Sequence, residues 1–197
     1  MGLTLDIGGG NYPRGDVTID VCFDWSNPYH HPEWFDRFSA PRHKDPCLVM
    51  CDANYPLPFR DEVFDKVLMV HTIEHLYRPY ECIREVYRVL KKGGKLLIVC
   101  PNAKKSQADW RDEGHYISFT LPTLKRLVSL VFQKVEVELI FGELNLYCTA
   151  FKEHTDTSQK EFEKHNGNTR LYINGIRSES ARQKYVGKQN TNARQKV

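Results

Sequence analysis

Three acids stand where apolar runs end in the first quarter of the chain. Asp6 lies in "LTLDIGGG", Asp20 ends "DVTID", and Asp52 follows "CLVMC" with Ala53 behind it. Glycines after a first strand leave room for a ligand to approach the backbone and tolerate positive φ, so Gly8 and Gly10 are candidates to line such a ligand. An acid at the end of the second strand is placed to accept hydrogen bonds from both hydroxyls of a ribose. Asp20 holds that position, and Asp52 holds the equivalent one on a third strand, suited to an adenine amino group with Ala53 small against the base. The third glycine of a pyrophosphate turn is missing, and no G-x-x-x-x-G-K-S/T loop occurs. The ligand class expected is therefore an adenosyl group without phosphates.

A second group of residues could move protons. His71, Glu74 and His75 fall in "VHTIEHL", and His115 and Tyr116 in "GHYISF". Imidazole suits general base work near neutral pH, so His115 and His75 are the catalytic candidates. His30, His31, His43, Cys47 and Cys51 offer N and S donors, but their spacings match no structural zinc pattern. No metal is expected.

The elements that must position these groups follow from periodicity. Strands are expected at 3–7, 16–21, 47–52, 64–71 and 95–102. Between the fourth and fifth lies "RPYECIREVYRVLKKGG", where Tyr80, Ile83, Val86, Tyr87 and Leu90 recur at helical spacing. Pro79 suits its first turn, lysines its last, and Gly93 and Gly94 its end. A second helix is expected over 120–132, capped by Thr120 with Pro122 in the first turn. "KVEVELI" alternates with period two, and "LNLYCTAFKE" completes an antiparallel C-terminal hairpin. Strands alternating with helices predict an α/β, Rossmann-like doubly wound sheet, mostly parallel and covered on both faces. Only Asn11–Asp16 separate the glycines from the second strand, so the helix usual there is expected to be shortened or absent.

The chain has 197 residues with 28 Lys or Arg against 25 Asp or Glu, and no apolar run long enough to cross a bilayer. Without a signal-peptide pattern, and with six cysteines showing no paired spacing, a reducing, cytoplasmic setting is expected. Residues 154–197 hold nine basic against four acidic side chains and little apolar periodicity. They read as a basic polar tail, partly disordered or docking through "TRLYINGIR", beside a domain at 1–153. Clustered Lys and Arg there are compatible with nucleic acid, though a solvated tail is the favoured reading.

"LDIGGG", "VTIDV", "CDANYPLPFRDEVFDKVLMVHTIEHL", "EVYRVLKKGGKLLIVCPN" and "GHYISFTLPTLKRLV" together resemble class I S-adenosylmethionine-dependent methyltransferases, from about Leu3 to Glu153. The resemblance implies a seven-stranded sheet and S-adenosyl-L-methionine as cofactor. Asp6, Gly8 and Gly10 would line its methionine portion, Asp20 its ribose, Asp52 and Ala53 its adenine, and His71 its methionine or ribose side. It implies methyl transfer by in-line displacement to an acceptor that the sequence does not specify, a small molecule, lipid or sugar being favoured. The alternative is a non-catalytic protein of the same fold that uses its tail to bind nucleic acid or protein. Oligomeric state is not legible. A lid, if present, would come from residues 23–46, the 103–116 loop or the tail.

Overall fold

The computed structural model describes residues 2–23, 41–106 and 114–153. Seven strands form one sheet in the order β3-β2-β1-β4-β5-β7-β6. They are β1 (Thr4–Ile7), β2 (Val17–Asp20), β3 (Cys47–Met50), β4 (Phe64–Val70), β5 (Leu90–Pro101), β6 (Lys134–Ile140) and β7 (Asn145–Phe151). The first five pair in parallel, and β7 is antiparallel to both β5 and β6. The order reverses between β1 and β4, the kind of switch point beside which open α/β sheets bind ligands at the carboxyl ends of their strands.

Two α-helices are described, α1 (Pro79–Val89) and α2 (Leu121–Ser129). Thr120 caps α2 in a reciprocal box with Thr123. Cys82, Ile83, Val86 and Val89 of α1 join Leu124 and Val128 of α2 in one core, with Leu5, Ile7, Ile19, Met69 and Ile98 from the sheet. The opposite face carries a smaller cluster of Leu68, Val70, Leu97, Val99 and Ile140 that includes no residue of either helix. Among the described residues both helices therefore bury onto one face. No helix of the described residues is long and apolar enough to cross a membrane.

Three boundaries differ from the sequence expectation. β3 ends at Met50, so Asp52 lies two residues past it rather than closing it. α1 ends at Val89, because Leu90 is extended (ψ 137) and pairs with Phe64 of β4. Lys91 and Lys92 thus begin β5 rather than filling a last helical turn. The glycine pair is used differently too: Gly93, at φ +79, donates to the Lys152 carbonyl, and Gly94 accepts from the Lys152 N–H. The pair lies where the β4–β5 register shifts.

No helix lies between β1 and β2, as the short connection predicts. Arg14 from that connection is buried instead, its backbone N–H donating to Asp6 Oδ2 at 2.7 Å and its guanidinium lying 4.8 Å from the Tyr12 ring centroid.

Candidate active site

The glycine turn is fixed by contacts from two neighbouring strands. Gly8 sits at φ +73 with its N–H bonded to the Ile19 carbonyl, and an added Cβ would meet Thr72 Oγ1 at 2.4 Å. Thr72 in turn donates its hydroxyl to the Ile7 carbonyl at 2.8 Å, which ties the end of β1 to the segment leaving β4 across the switch point. Sequence reasoning passed over Thr72; a hydroxyl directly after a buried strand end was the available signal.

Asp20 closes β2 and is half-buried. Its Oδ2 accepts the Gly10 N–H at 2.9 Å and its Oδ1 accepts the Cys22 N–H at 3.2 Å. Each carboxylate oxygen keeps acceptor capacity after those bonds, so the group is oriented yet able to receive two hydroxyls. Asp52 is held through Oδ1, which accepts from both the backbone N–H and the side-chain amide of Asn54. Asn54 Oδ1 then accepts the N–H groups of Tyr77 and Arg78, fastening this loop to the start of α1. Ala53 is buried alongside.

Asp6 differs from those two acids. It is fully buried beneath the glycines, so its side chain supports the turn from below. Burial pushes its carboxyl up to about 6, with the Arg14 charge and the Arg14 N–H pulling the other way. Its Oδ1 has no hydrogen-bond partner among the described residues. A buried acceptor left open beside a glycine turn, and two oriented carboxylates at neighbouring strand ends, fit an adenosyl cofactor carrying an ammonium group.

The proton-moving candidates meet on the other side of the switch point. His71 follows β4 directly at φ +52, donates its N–H to the Val99 carbonyl, and brings Nδ1 within 3.2 Å of Glu74 Oε1. Ile73–His75 form one 3₁₀ turn. The Glu74 carbonyl accepts the N–H groups of Tyr116 and Ile117, and this draws in a segment forty residues away. His75 and His115 consequently stack edge to face with ring centroids 4.6 Å apart. His75 Nδ1 lies 3.0 Å from the Gly114 carbonyl. Because a carbonyl only accepts, Nδ1 carries the proton and Nε2 presents its lone pair.

Ligand atoms of Glu74, His75 and His115 lie within 4.8 Å of one another, the metal-compatible group among the described residues. Of the earlier donor set, His43 faces Asp16 at 3.5 Å, and His30 and His31 fall outside the described residues. Also outside them are the aromatics Trp25, Tyr29, Trp34 and Phe35, the tip of the 103–116 loop, and the basic tail expected to be partly disordered or docking. Exposed Tyr55, Tyr77 and Tyr116 border the site. Tyr77 and Tyr116 pack edge to face at 6.2 Å, and a hydrogen bond with Tyr55 pushes the Tyr77 phenol up to about 12.

The remaining motif residues are structural. Arg88 reaches the Leu57 and Phe59 carbonyls and the carboxylates of Glu85 and Asp61, while Glu85 accepts the Leu57 N–H. This fork anchors the "LPFRD" loop to α1, which accounts for the spacing of "LPF" and "E–R".

The model of the methyltransferase domain family matches residues 32–98. A solved SAM-dependent methyltransferase of Thermotoga maritima superposes with a TM-score of 0.56 at 18% identity, over 78% of this chain and 83% of that one. Residues 32–98 thus match the methyltransferase domain family, and the sheet has the fold of solved S-adenosylmethionine-dependent methyltransferases. Among curated members, the ubiquinone/menaquinone biosynthesis C-methyltransferase UbiE of Ruegeria sp. (strain TM1040) is 44% identical over 43 residues, 22% of this chain and 17% of that protein. The spinach chloroplastic 2-methyl-6-phytyl-1,4-hydroquinone methyltransferase is 30% identical over 104 residues, 50% of this chain and 29% of that protein. The matched segments thus span less than a third of either relative. S-adenosylmethionine is the methyl donor that the methyltransferase match implies.

Proposed function

We propose that residues 1–153 form a methyltransferase domain that transfers the methyl group of S-adenosylmethionine to a small-molecule acceptor. The observation that carries this reading is the Asp20 carboxylate, oriented by the Gly10 and Cys22 N–H groups at the switch point and open to two hydroxyls. Bound there, the cofactor supplies a methyl group already activated on a sulfonium. The protein's task is then to align the acceptor, exclude water and, for a protonated acceptor, remove a proton.

Asp20 would accept from the ribose hydroxyls, and Asp52 with Ala53 would receive the adenine. Gly8 and Gly10 would flank the methionine portion, and Asp6 would hold the turn while offering Oδ1 to the ammonium. His71 would border the ribose or methionine side. His75 and His115 face the acceptor, and either imidazole can take its proton. Exposed Tyr55, Tyr77 and Tyr116 favour an aromatic acceptor, in keeping with two relatives named for quinone or hydroquinone methylation.

The test measures S-adenosylhomocysteine release over a panel of phenols, hydroquinones, lipids and sugars. Turnover on at least one aromatic acceptor, reduced about 100-fold or more by His115→Ala if that imidazole is the base, is the expected result. Cofactor binding without turnover on any acceptor would favour a binding role instead.

A further inference from the structure

We propose that Glu74, His75 and His115 bind a divalent transition-metal ion of the zinc class on the acceptor side of the site. Two imidazoles and one carboxylate, each offering a ligand atom within 4.8 Å of the others, form an N,N,O donor set. Such a set suits zinc, cobalt or iron rather than magnesium or calcium, which prefer oxygen ligands throughout.

Two further features point to a ligand. Glu74 is only 1% exposed, yet neither of its carboxylate oxygens has a hydrogen-bond partner among the described residues. The His71 ring is within ion-pair distance of one oxygen and leaves the other unmatched. A buried carboxylate is costly unless it is paired or coordinates a cation, so the fold holds a group whose counterpart is still to be supplied. In addition, His75 uses Nδ1 on the Gly114 carbonyl, which leaves Nε2 as the donor. That is the outer hydrogen bond by which metal-binding histidines are commonly oriented, and it comes from the residue next to His115.

A tetrahedral centre with bonds near 2.1 Å spaces its ligands about 3.4 Å apart, so the three side chains would close by roughly an ångström. His75 and His115 are only half-buried, so small rotations of the two rings would bring the ligand atoms to that spacing. Three protein ligands leave a fourth position open for an acceptor oxygen.

The proposal rests on the methyltransferase reading only for the use made of the ion. With both imidazoles on the ion neither acts as the base, and a bound hydroxyl would lose its proton to water more readily on the cation. The resulting oxygen would form a bond to the methyl carbon as the carbon–sulfur bond breaks, its electron pair remaining on sulfur. The favoured acceptor is therefore a hydroxyl-bearing aromatic molecule methylated on oxygen.

The experiment titrates the full chain, stripped with a chelator, with Co²⁺ and follows its visible absorption bands. One equivalent is expected to bind, competed by Zn²⁺ and not by Mg²⁺. His115→Ala and His75→Ala should each weaken it at least tenfold, and His43→Ala should leave it unchanged. Uptake no tighter than about 100 μM, or equal uptake by the wild type and His115→Ala, would overturn the proposal. S-adenosylhomocysteine binding, measured separately with chelator present, reports on the cofactor reading alone. Its retention without the Co²⁺ site would sink only the metal, and Co²⁺ uptake without it would sink only the cofactor.

Discussion

The two sides of the switch point are built on different principles. On the β1–β3 side, Asp20 and Asp52 are steadied by backbone groups within ten residues of themselves. On the β4 side, His75 meets a histidine forty residues away, brought there by N–H groups bonding the Glu74 carbonyl. The first arrangement orients acceptors that still have capacity. The second buries a carboxylate that has no hydrogen-bond partner among the described residues. On the proposed reading, the local construction serves the cofactor, and acceptor chemistry falls to the construction that long-range contacts can vary. Substitutions on one side should therefore leave the other intact.

The largest expected effect comes from the junction between the sides. Gly8→Ala places a Cβ 2.4 Å from Thr72 Oγ1 at a φ of +73. Strain, overlap and the lost Thr72–Ile7 bond together should cost about 3 kcal/mol or more in urea unfolding. Normal stability would remove the junction from the account.

Next is the buried acid of the adenosyl side. Asp6 has a folded pKa raised from 3.8 to about 6, so the native state binds the extra proton between those values. Its contribution is fully present below about pH 4 and is lost as pH rises through 6, by about 3 kcal/mol at most. Asp6→Asn should remove that component, so subtracting the two pH–stability curves isolates it. Parallel curves would contradict the burial assignment.

A smaller effect sharpens the contrast. Asp20→Ala should weaken S-adenosylhomocysteine binding by about 1–3 kcal/mol, the loss of a charged hydrogen-bonding partner. Co²⁺ uptake should be unaltered. The reverse applies to His115→Ala, whose cofactor affinity should stay within about 0.5 kcal/mol of wild type.

The adenosyl side was legible in the sequence because its signals are local. Strand ends, glycines and the curtailed connection all appear within short windows, and the α/β class follows from alternating elements. Alternation in β1 sets Asp6 under the turn, where the Arg14 N–H donates to its carboxylate, a contact that no local pattern announces. The meeting of His75 and His115 could not be read, since no local pattern specifies a bond from Tyr116 N–H to the Glu74 carbonyl. Lys91 and Lys92 misled for a similar reason: strand pairing of Leu90 with Phe64 overrode helix-end chemistry.

The central claim is that an adenosyl cofactor sits against Asp20. Calorimetry with S-adenosylhomocysteine tests it most directly. The wild type should bind one equivalent, Asp20→Ala should bind at least about fivefold more weakly, and His115→Ala should match the wild type. No binding by the wild type, or equal binding by Asp20→Ala, would contradict it.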